Sequence, residues 1–419
     1  MGVTLSEASR SRHPLATLAG FVLSSFILSA SLMLPGFVLS GCAPIVAPPP
    51  PVSQPAPAPA PAPIVQAPST APELADTTVK VGLLLPLSGP QASLGRAMLQ
   101  AAEMGLFDAG GDNFKLVVRD SATTGGPGAA ARDALAGKAD IVLGPLFGTE
   151  LKQAAVPVMA ARVPMVSFSN DKSLAQPGVY VLGITPESQI NRVVAYAAAQ
   201  GVQRFAIMAP NSPYGRLVLG AYQEAVVKAG GTIAQVVFYD PKSPDLTQPV
   251  REMAGAYQRG GFDALMIPES GQKLRAFAAM LPAFDIPTGL VRLLGTAQWQ
   301  DPAIASDSAL LGGWFATPAP DRFQTFAQRY VALYGSPPDP RAGIVYDAVT
   351  LAVALAQAKE GGDFSAQRMT DPSGFAGVTG VFRLNADGTA ERGLAVLEVA
   401  PGTFVVKDPA PGTFAAAIN

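Results

Sequence analysis

Cysteine and histidine, two side chains that commonly act as nucleophiles, bases and metal ligands, each occur only once in this chain of 419 residues. Cys42 stands in the stretch FVLSGCAPIVAPPPP, where an apolar run gives way to prolines, and His13 lies upstream of it. A lone cysteine cannot form an intramolecular disulfide. Cys42 is therefore a core thiol, a reactive thiol or an attachment point. The residues around it indicate which of these it is.

The residues before Cys42 favour an attachment point. Arg10 and Arg12 precede a nearly uncharged apolar stretch, and the quartet LSGC places two small residues directly before the cysteine. A basic segment, an apolar segment and a small-residue cleavage site are typical of a secretory signal. LSGC also resembles the bacterial lipobox, which implies a signal peptide over residues 1–41 and lipidation of Cys42. An uncut transmembrane anchor is the alternative, because the apolar stretch approaches spanning length.

Cleavage before Cys42 would also remove His13 and thereby narrow the chemistry of the mature chain. Without histidine or a free thiol, neither a Ser-His-Asp nor a Cys-His nucleophile can form, and there is no imidazole or thiolate site for zinc. Carboxylate pairs and lysines remain available. We therefore expect a protein that is not an enzyme, with no catalytic residues, no metal site and no cofactor.

Charge and composition narrow the partners. Removing the segment 1–41 takes away two of the 29 basic and one of the 31 acidic residues, so the mature chain is weakly acidic. Charged residues make up 14% of the chain, against about 25% in typical domains. No basic cluster could neutralise phosphates, so nucleic acid is not an expected partner. The apolar share of 49% can form a substantial core.

Proline and alanine dominate the segment that follows Cys42, which includes PPPPVSQPAPAPAPAPIVQAP. Proline fixes φ and lacks a backbone donor, so this segment favours extended polyproline II structure. We predict a linker over 42–76 that holds a folded body, 77–408, away from a membrane, followed by a short tail, 409–419. A ligand for a proline-binding domain is the alternative to a spacer.

The folded body alternates between short apolar runs and amphipathic helical stretches. VKVGLLLPL, FKLVVRD, DIVLG, VPMVSFS, RFAIMAP, TIAQVVFYD, FDALMIP and LVRLLG are such runs. Apolar strands between helices predict parallel sheets that helices cover on both faces. The length of the pattern favours two α/β lobes, followed by two long helices and β-hairpin material at the end.

Several of these runs resemble the leucine-binding-protein-like, type I periplasmic binding fold. GLLLPLSGPQASLGRAMLQAAEMGLFDAGG is similar to its opening strand and helix, and DIVLGPLFGTE and VPMVSFSND to its third and fourth strands. APNSPYGRLVLGAYQEAVVKAGGTI resembles the start of its second lobe, and GVFRLNADGTAERGLAVLEV its terminal hairpin. The resemblance covers about residues 78–407. It implies two Rossmann-like lobes joined by a hinge of three chain crossings.

The resemblance also implies where the lobes begin and end. The crossings are expected near 183–188, 314–320 and 361–373. The first lobe then comprises about 78–184 and 318–360, and the second comprises about 187–314 and 374–408. Three parallel crossings allow the lobes to close around a ligand.

In open α/β sheets, ligands bind beyond the carboxyl ends of the strands. That rule selects eleven candidate ligand-binding residues on the two lobes. They are Ser88, Phe147, Gly148, Thr149, Ser169, Asn170, Tyr214, Glu269, Ser270, Gln298 and Trp299. Structural roles are the alternatives: Ser169 and Asn170 as caps of a turn, and Tyr214 and Trp299 as packed aromatic residues.

The candidate loops depart from those of amino-acid-binding relatives, in which hydroxyl and backbone groups bind the ligand and an acid of the second lobe assists. Phe147 and Gly148 stand where a serine is usual, and Gln298 and Trp299 occupy the loop that normally holds the acid. These departures argue against an α-amino acid and leave a neutral or aromatic ligand open.

Two functional hypotheses follow from the resemblance. One is a regulator similar to the lipoprotein activators of penicillin-binding proteins, with a peptidoglycan synthase as partner. The other is a solute receptor of an ABC importer, with a permease as partner and an amino acid or similar small molecule as ligand. The altered loops, the linker and the lipobox favour the regulator, although the helical-repeat domain of some activators is absent. An enzyme or an unrelated sensor is a third possibility.

The residue after the lipidation site bears on the location. Ala43 stands where an aspartate would signal retention in the inner membrane of enteric bacteria. We therefore expect a periplasmic protein whose lipid anchor lies in the outer rather than the inner membrane.

Overall fold

The computed structural model of the protein describes residues 78–110 and 113–414. The predicted signal peptide, Cys42, the linker 42–76 and residues 415–419 lie outside the described residues. Lipidation of Cys42 therefore stays a prediction.

The first sheet is built from five parallel strands. The strands are β1 (Val79–Leu85), β2 (Phe114–Asp120), β3 (Ile141–Leu143), β4 (Met165–Ser167) and β5 (Val179–Val181), and the helices between them are α1 (Ala92–Ala109), α2 (Gly126–Ala136) and α3 (Gly148–Ala160). Their order in the sheet is β2-β1-β3-β4-β5. β1, β3, β4 and β5 are almost fully buried, as expected for parallel strands that helices cover on both faces.

The second sheet contains another five parallel strands. These are β6 (Arg204–Pro210), β7 (Thr232–Tyr239), β8 (Ala264–Met266), β9 (Arg292–Gly295) and β10 (Trp314–Thr317), and the helices are α4 (Pro186–Ala199), α5 (Pro213–Lys228), α6 (Thr247–Gly260), α7 (Gly271–Met280) and α8 (Pro302–Ala305). Their order is β10-β9-β8-β6-β7. Successive residues of β6 pack in two different hydrophobic clusters, so both faces of this sheet are covered.

After β10 the chain returns to the first sheet through α9 (Pro320–Tyr334) and α10 (Ala342–Gln357), followed by the short helix α11 (Ala366–Met369). Val345 and Val349 of α10 belong to the same buried cluster as Leu83 of β1. On α9, Tyr330 donates a hydrogen bond to the carbonyl oxygen of Ala97 at 3.3 Å. Both long helices are therefore part of the first lobe.

The end of the chain corrects one sequence expectation. The antiparallel hairpin β11 (Phe382–Leu384) and β12 (Ala390–Arg392) was expected in the second lobe. Instead, Phe382 and Leu384 are buried in the hydrophobic cluster of the first sheet, together with Met369. The backbone N–H of Val181 also donates to the carbonyl oxygen of Gly388 at 2.9 Å. The third crossing therefore follows β12 and does not lie at 361–373.

The last two strands, β13 (Ala395–Ala400) and β14 (Thr403–Asp408), do join the second sheet. They pair antiparallel beside β10 and complete the order β14-β13-β10-β9-β8-β6-β7. The whole is an α/β fold of two lobes with three chain crossings. None of the helices in the described ranges combines the length and the apolar character needed to cross a membrane.

The crossings lie beside the carboxyl ends of both parallel sheets. The first leaves the end of β5 and enters α4, where Thr185 caps the helix by accepting the backbone N–H of Ser188 at 3.2 Å. The second leaves the end of β10 and enters α9. Since each crossing joins the carboxyl end of one sheet to a helix of the other lobe, these two sheet edges border the space between the lobes. We call this space the interlobe cleft.

A buried ion pair links the first and third crossings to the core of the first lobe. Asp347 of α10 lies 3.6 Å from Arg392, and both side chains are almost completely buried. Arg392 donates to the carbonyl oxygen of Leu182, at the first crossing, at 2.9 Å. It also donates to the hydroxyl of Thr379, which in turn donates to Asp347. One guanidinium therefore links α10, the first crossing and the start of the third.

Candidate functional site

The second-lobe wall of the interlobe cleft contains a polar cluster at the carboxyl ends of β6 to β9. Tyr214 stands in the first turn of α5, which Ser212 caps by accepting the N–H of Gly215 at 3.1 Å. The side-chain amide of Gln298 donates to the Tyr214 hydroxyl at 3.0 Å. Two of the predicted residues are therefore in direct contact, although they are far apart in the chain.

Helix α4, which follows the first crossing, holds the loop that carries Gln298. The N–H of Ala297 donates to the side-chain oxygen of Gln189 on α4 at 2.7 Å. Burial raises the pKa of Tyr214, and the charge of Glu269 adds to that effect. Tyr214 is therefore a neutral hydrogen-bonding group at ordinary pH.

Glu269, a third predicted residue, follows β8 and is bonded to a residue that the sequence did not single out. The hydroxyl of Tyr239, at the end of β7, donates to the carboxylate of Glu269. Burial raises the pKa of Tyr239 well above its usual range, and the bond to Glu269 raises it further. The ammonium of Lys273 lies 5.8 Å from the centre of the Tyr239 ring and donates to the carbonyl oxygen of Pro241.

Ser270 and Thr296 also lie at the carboxyl ends of the second-sheet strands, after β8 and β9. Ser270 is exposed and precedes α7, but its side chain makes no capping hydrogen bond. Thr296 follows β9 and is 1% exposed. Its hydroxyl lies beside that of Tyr214, and the hydrogen bond between them acts to lower the pKa of Tyr214, against the larger effect of burial. Tyr214, Tyr239, Glu269, Thr296 and Gln298 are from here on the second-lobe cluster.

Trp299 lies in the core of the second lobe and not on the cleft surface. It is 0% exposed, and its indole N–H donates to the carbonyl oxygen of Ile267 at 3.3 Å. Gly295 and Gly313 leave the space that its ring fills, because a Cβ at either position would overlap the ring. The structure therefore supports the alternative of a packed aromatic residue.

The first-lobe wall starts with Ser88 and Asp120, at the ends of β1 and β2. Asp120 accepts the backbone N–H groups of Leu87 and Ala122, both at 2.9 Å. Burial acts to raise the pKa of Asp120, but hydrogen bonds from Ser88 and the backbone outweigh it and lower that pKa. Ser88 is exposed, and its hydroxyl is directed to this carboxylate.

The start of α3 adds a second carboxylate to this wall. Phe147 is half-buried against the first core, Gly148 begins the helix, and Thr149 is exposed in its first turn. The hydroxyl of Ser121 lies 3.5 Å from the carboxylate of Glu150. Burial raises the pKa of Glu150, and the charge of Asp120 contributes to the rise.

Ser169 and Asn170 follow β4 and form a tight turn. Ser169 is 3% exposed, and its hydroxyl accepts the N–H of Asp171 at 3.1 Å. Asn170 is exposed. Gly144 makes the neighbouring turn possible, because its φ of +91° is unfavourable for other residues and a Cβ there would overlap the carbonyl oxygen of Leu84. The Ser169 hydroxyl therefore has a structural role in this turn.

The structure thus brings together some predicted residues and adds others. Tyr214, Glu269 and Gln298 belong to one cluster, whereas Ser88 and Thr149 lie on the other wall. Tyr239, Thr296, Asp120 and Glu150 were missed. The first three could have been found by applying the carboxyl-end rule to every strand, because each ends or directly follows one. Within the described ranges, no three His, Cys, Asp or Glu side chains are grouped so as to hold a metal ion.

With this geometry in place, comparison with known proteins decides the family. A sequence model of the periplasmic binding protein family matches residues 78–403, which is most of the chain. The chain belongs to the periplasmic binding protein family.

Solved structures agree with this family assignment at the level of the fold. A Rhodospirillum rubrum protein assigned to branched-chain amino acid ABC transport has a TM-score of 0.69 and 21% identity, over 78% of this chain and 99% of its own. A Burkholderia xenovorans branched-chain amino acid ABC transporter ligand-binding protein has a TM-score of 0.65 and 17% identity, over 80% and 96%. LivJ from Streptococcus pneumoniae, in complex with isoleucine, has a TM-score of 0.56 and 19% identity, over 80% and 100%.

A relative of this chain occurs in Rickettsia prowazekii. An uncharacterised protein of that organism is 23% identical over 176 residues, which are 42% of this chain. The match spans about half of that relative's length, 47%. These comparisons support the type I periplasmic binding fold. They do not confirm the resemblance to activators of penicillin-binding proteins.

Proposed function

We propose that the protein is a non-enzymatic solute receptor of an ABC importer and binds a small molecule in the interlobe cleft. The second-lobe cluster carries this proposal. Hydroxyl, amide and carboxylate groups that end or follow four different strands converge there. In open α/β sheets ligands bind beyond the carboxyl ends of the strands, so a cluster of polar side chains at that position is well explained by a ligand site.

The regulator hypothesis has weaker support than the receptor. The solved structures similar in fold are transporter binding proteins, and the family model is that of periplasmic binding proteins. Of the three features that favoured a regulator of peptidoglycan synthesis, the lipobox and the linker lie in the segment 1–76, and the altered loops after β3 and β9 argue against an α-amino acid but leave other small molecules open. A lipid anchor and a linker are compatible with a receptor as well.

We further propose that the mature protein lies in the periplasm and is anchored to a membrane through Cys42. A receptor has to reach its permease in the inner membrane, so anchoring in the outer membrane would argue for the regulator. Intact mass spectrometry of the mature protein should give an acylated N-terminal cysteine. An unmodified thiol or another N-terminus would refute the anchor, and membrane fractionation separates the two locations.

Ligand release and crosslinking test the receptor function. The purified protein is denatured, and the supernatant is analysed by mass spectrometry for a small molecule that was bound. A library of solutes is then screened for an increase in unfolding temperature. We expect a bound or stabilising solute, and crosslinks in cells to a permease. An empty protein that no solute stabilises, together with crosslinks to a peptidoglycan synthase, would overturn the proposal in favour of the regulator.

A further inference from the structure

The residues after β14 leave the second lobe and end on the first. β14 is part of the second sheet, and Ala410 packs against the hydrophobic cluster of that sheet. Further along, the centre of the Phe414 ring lies 4.8 Å from the guanidinium carbon of Arg383, which belongs to β11 of the first lobe. Residues 409–414, from here on the C-terminal segment, therefore contact both lobes.

The second lobe holds the beginning of the C-terminal segment. Arg192, on α4, forms an ion pair with Asp408 at 2.9 Å and donates to the carbonyl oxygen of Pro409 at 3.4 Å. The same guanidinium donates to the carbonyl oxygen of Leu394 at 2.7 Å, where the third crossing enters β13. One side chain of the second lobe thus fixes both the third crossing and the start of the C-terminal segment.

The middle of the C-terminal segment packs on the crossings. A Cβ at Gly393, in the third crossing, would come within 2.7 Å of the Pro411 ring and 2.8 Å of a methyl group of Val381. The proline ring can lie there because Gly393 has no side chain. The segment also lines one cavity together with Ala319 and Pro320, at the second crossing. It therefore runs beside two of the three crossings about which the lobes would rotate.

The first lobe offers Phe414 a fixed contact surface. Arg383 donates to the carboxylate of Glu391 at 2.8 Å and to the carbonyl oxygen of Pro372 at 3.5 Å, so its guanidinium is held in place. A Cβ at Gly374 would approach the Phe414 ring to 2.8 Å, which shows that the ring lies against this glycine. A guanidinium over the face of an aromatic ring is attracted to it. The end of the C-terminal segment is therefore attached to the first lobe.

These contacts are formed at the surface of the protein. Pro411, Gly412 and Thr413 are exposed, and Ala410 and Phe414 are half-buried. Because no residue of the C-terminal segment is fully buried, its removal should leave the cores of both lobes intact. What the segment adds is a noncovalent link between the lobes.

We infer that the C-terminal segment is a strap that restricts the rotation of the two lobes and favours the arrangement seen in this structure. A rotation about the crossings moves Arg383 and Gly374 of the first lobe relative to Arg192 of the second. Because the segment is attached at both ends, such a rotation has to break the contact of Phe414. The strap therefore shifts the populations of lobe arrangements without touching the interlobe cleft.

Distances between the lobes test this inference. The mature chain with Cys42→Ser, Ser93→Cys and Arg216→Cys is spin-labelled and measured by double electron–electron resonance. Positions 93 and 216 are exposed in the first turns of α1 and α5, which follow β1 and β6 at the sheet edges that border the cleft. Deleting residues 410–419 should broaden the distance distribution or add a second population.

Single substitutions test the attachment to the first lobe. Phe414→Ala should raise the ratio of other arrangements to the observed one about 2- to 5-fold, the factor expected for the loss of one exposed cation–π contact. Phe414→Tyr keeps an aromatic face over Arg383 and should retain the distribution of the unmodified protein. Phe107→Ala is the matched control, because Phe107 is 85% exposed on α1 of the first lobe.

Thermal unfolding of the same variants separates a strap from a segment that only stabilises the fold. If the deletion and Phe414→Ala lower the unfolding temperature but leave the distance distribution unchanged, the inference is wrong. It is equally wrong if Phe107→Ala changes the distribution as much as Phe414→Ala does. No ligand is added in these measurements, so their outcome is independent of the proposed receptor function.

Discussion

Replacing Arg392 by methionine should destabilise the protein by about 3–5 kcal/mol, because it leaves the carboxylate of Asp347 buried without its cation. Both side chains are almost inaccessible, at 3% and 0% exposure for Arg392 and Asp347. The change also removes the donor to the carbonyl oxygen of Leu182. Equilibrium unfolding in urea, followed by circular dichroism, measures the loss.

A double-mutant cycle shows whether the buried charge causes the loss. Asp347→Asn together with Arg392→Met leaves no buried charge, and the amide oxygen can still accept one of the two N–H groups, those of Val378 and Thr379, that bind separate oxygens of the carboxylate. The double variant should therefore be more stable than Arg392→Met alone. Burial raises the pKa of Asp347, and Arg392 opposes that rise. The deficit of Arg392→Met should consequently grow as pH rises above the ordinary value of 3.8. A loss below about 1 kcal/mol, or strict additivity, would refute this reasoning.

Three further changes probe the cleft and the first lobe. Glu150→Gln should stabilise the protein at neutral pH, because burial raises the pKa of Glu150 and so penalises its charged form. The contribution of the wild-type carboxyl group to the free energy of unfolding is lost as pH rises past 4.5. Denaturation between pH 4 and 7 should therefore show a difference in stability that grows with pH. Trp299→Ala should lower the free energy of unfolding by about 3–5 kcal/mol, because it empties a buried site. Trp299→Phe should leave the affinity for solute unchanged. A large loss of affinity in that variant would mean that the ring contacts the ligand. Asp108→Asn should cost less than about 1 kcal/mol. The hydrogen bond from Arg329 lowers the pKa of Asp108, so the loss of stability should vanish as pH falls below 3.8. A loss that persists at lower pH in unfolding experiments would contradict this prediction.

The strands and helices of both lobes were predictable because burial of a parallel sheet leaves a simple signature. Runs such as VKVGLLLPL and RFAIMAP are apolar on both faces, and helical stretches separate them. The terminal hairpin was misplaced for an equally physical reason. Phe382 and Leu384 are apolar residues of a short strand, and nothing in that pattern tells which of two neighbouring cores they enter.

The candidate site was predictable in location and only partly in composition. The carboxyl-end rule found Tyr214, Glu269 and Gln298, because their positions follow from strand ends alone. It could not tell that the Trp299 ring turns into the core, since that depends on the space beside Gly295 and Gly313. Pairings between distant loops, such as that of Tyr239 with Glu269, depend on strand order, which local sequence does not encode.

Two carboxylates of this protein show how a structural acid differs from one available to a ligand. Asp347 accepts the N–H groups of Val378 and Thr379 and the hydroxyl of Thr379, and it also faces a guanidinium. The fold itself supplies its hydrogen-bond donors and its cation, so Asp347 has a structural role even though burial raises its pKa. Within the part of the chain that the structure describes, Glu269 accepts one phenol and one long backbone contact and forms no ion pair. Because its lone pairs are not all used, Glu269 can accept a further donor from a ligand, which Asp347 cannot do inside the core.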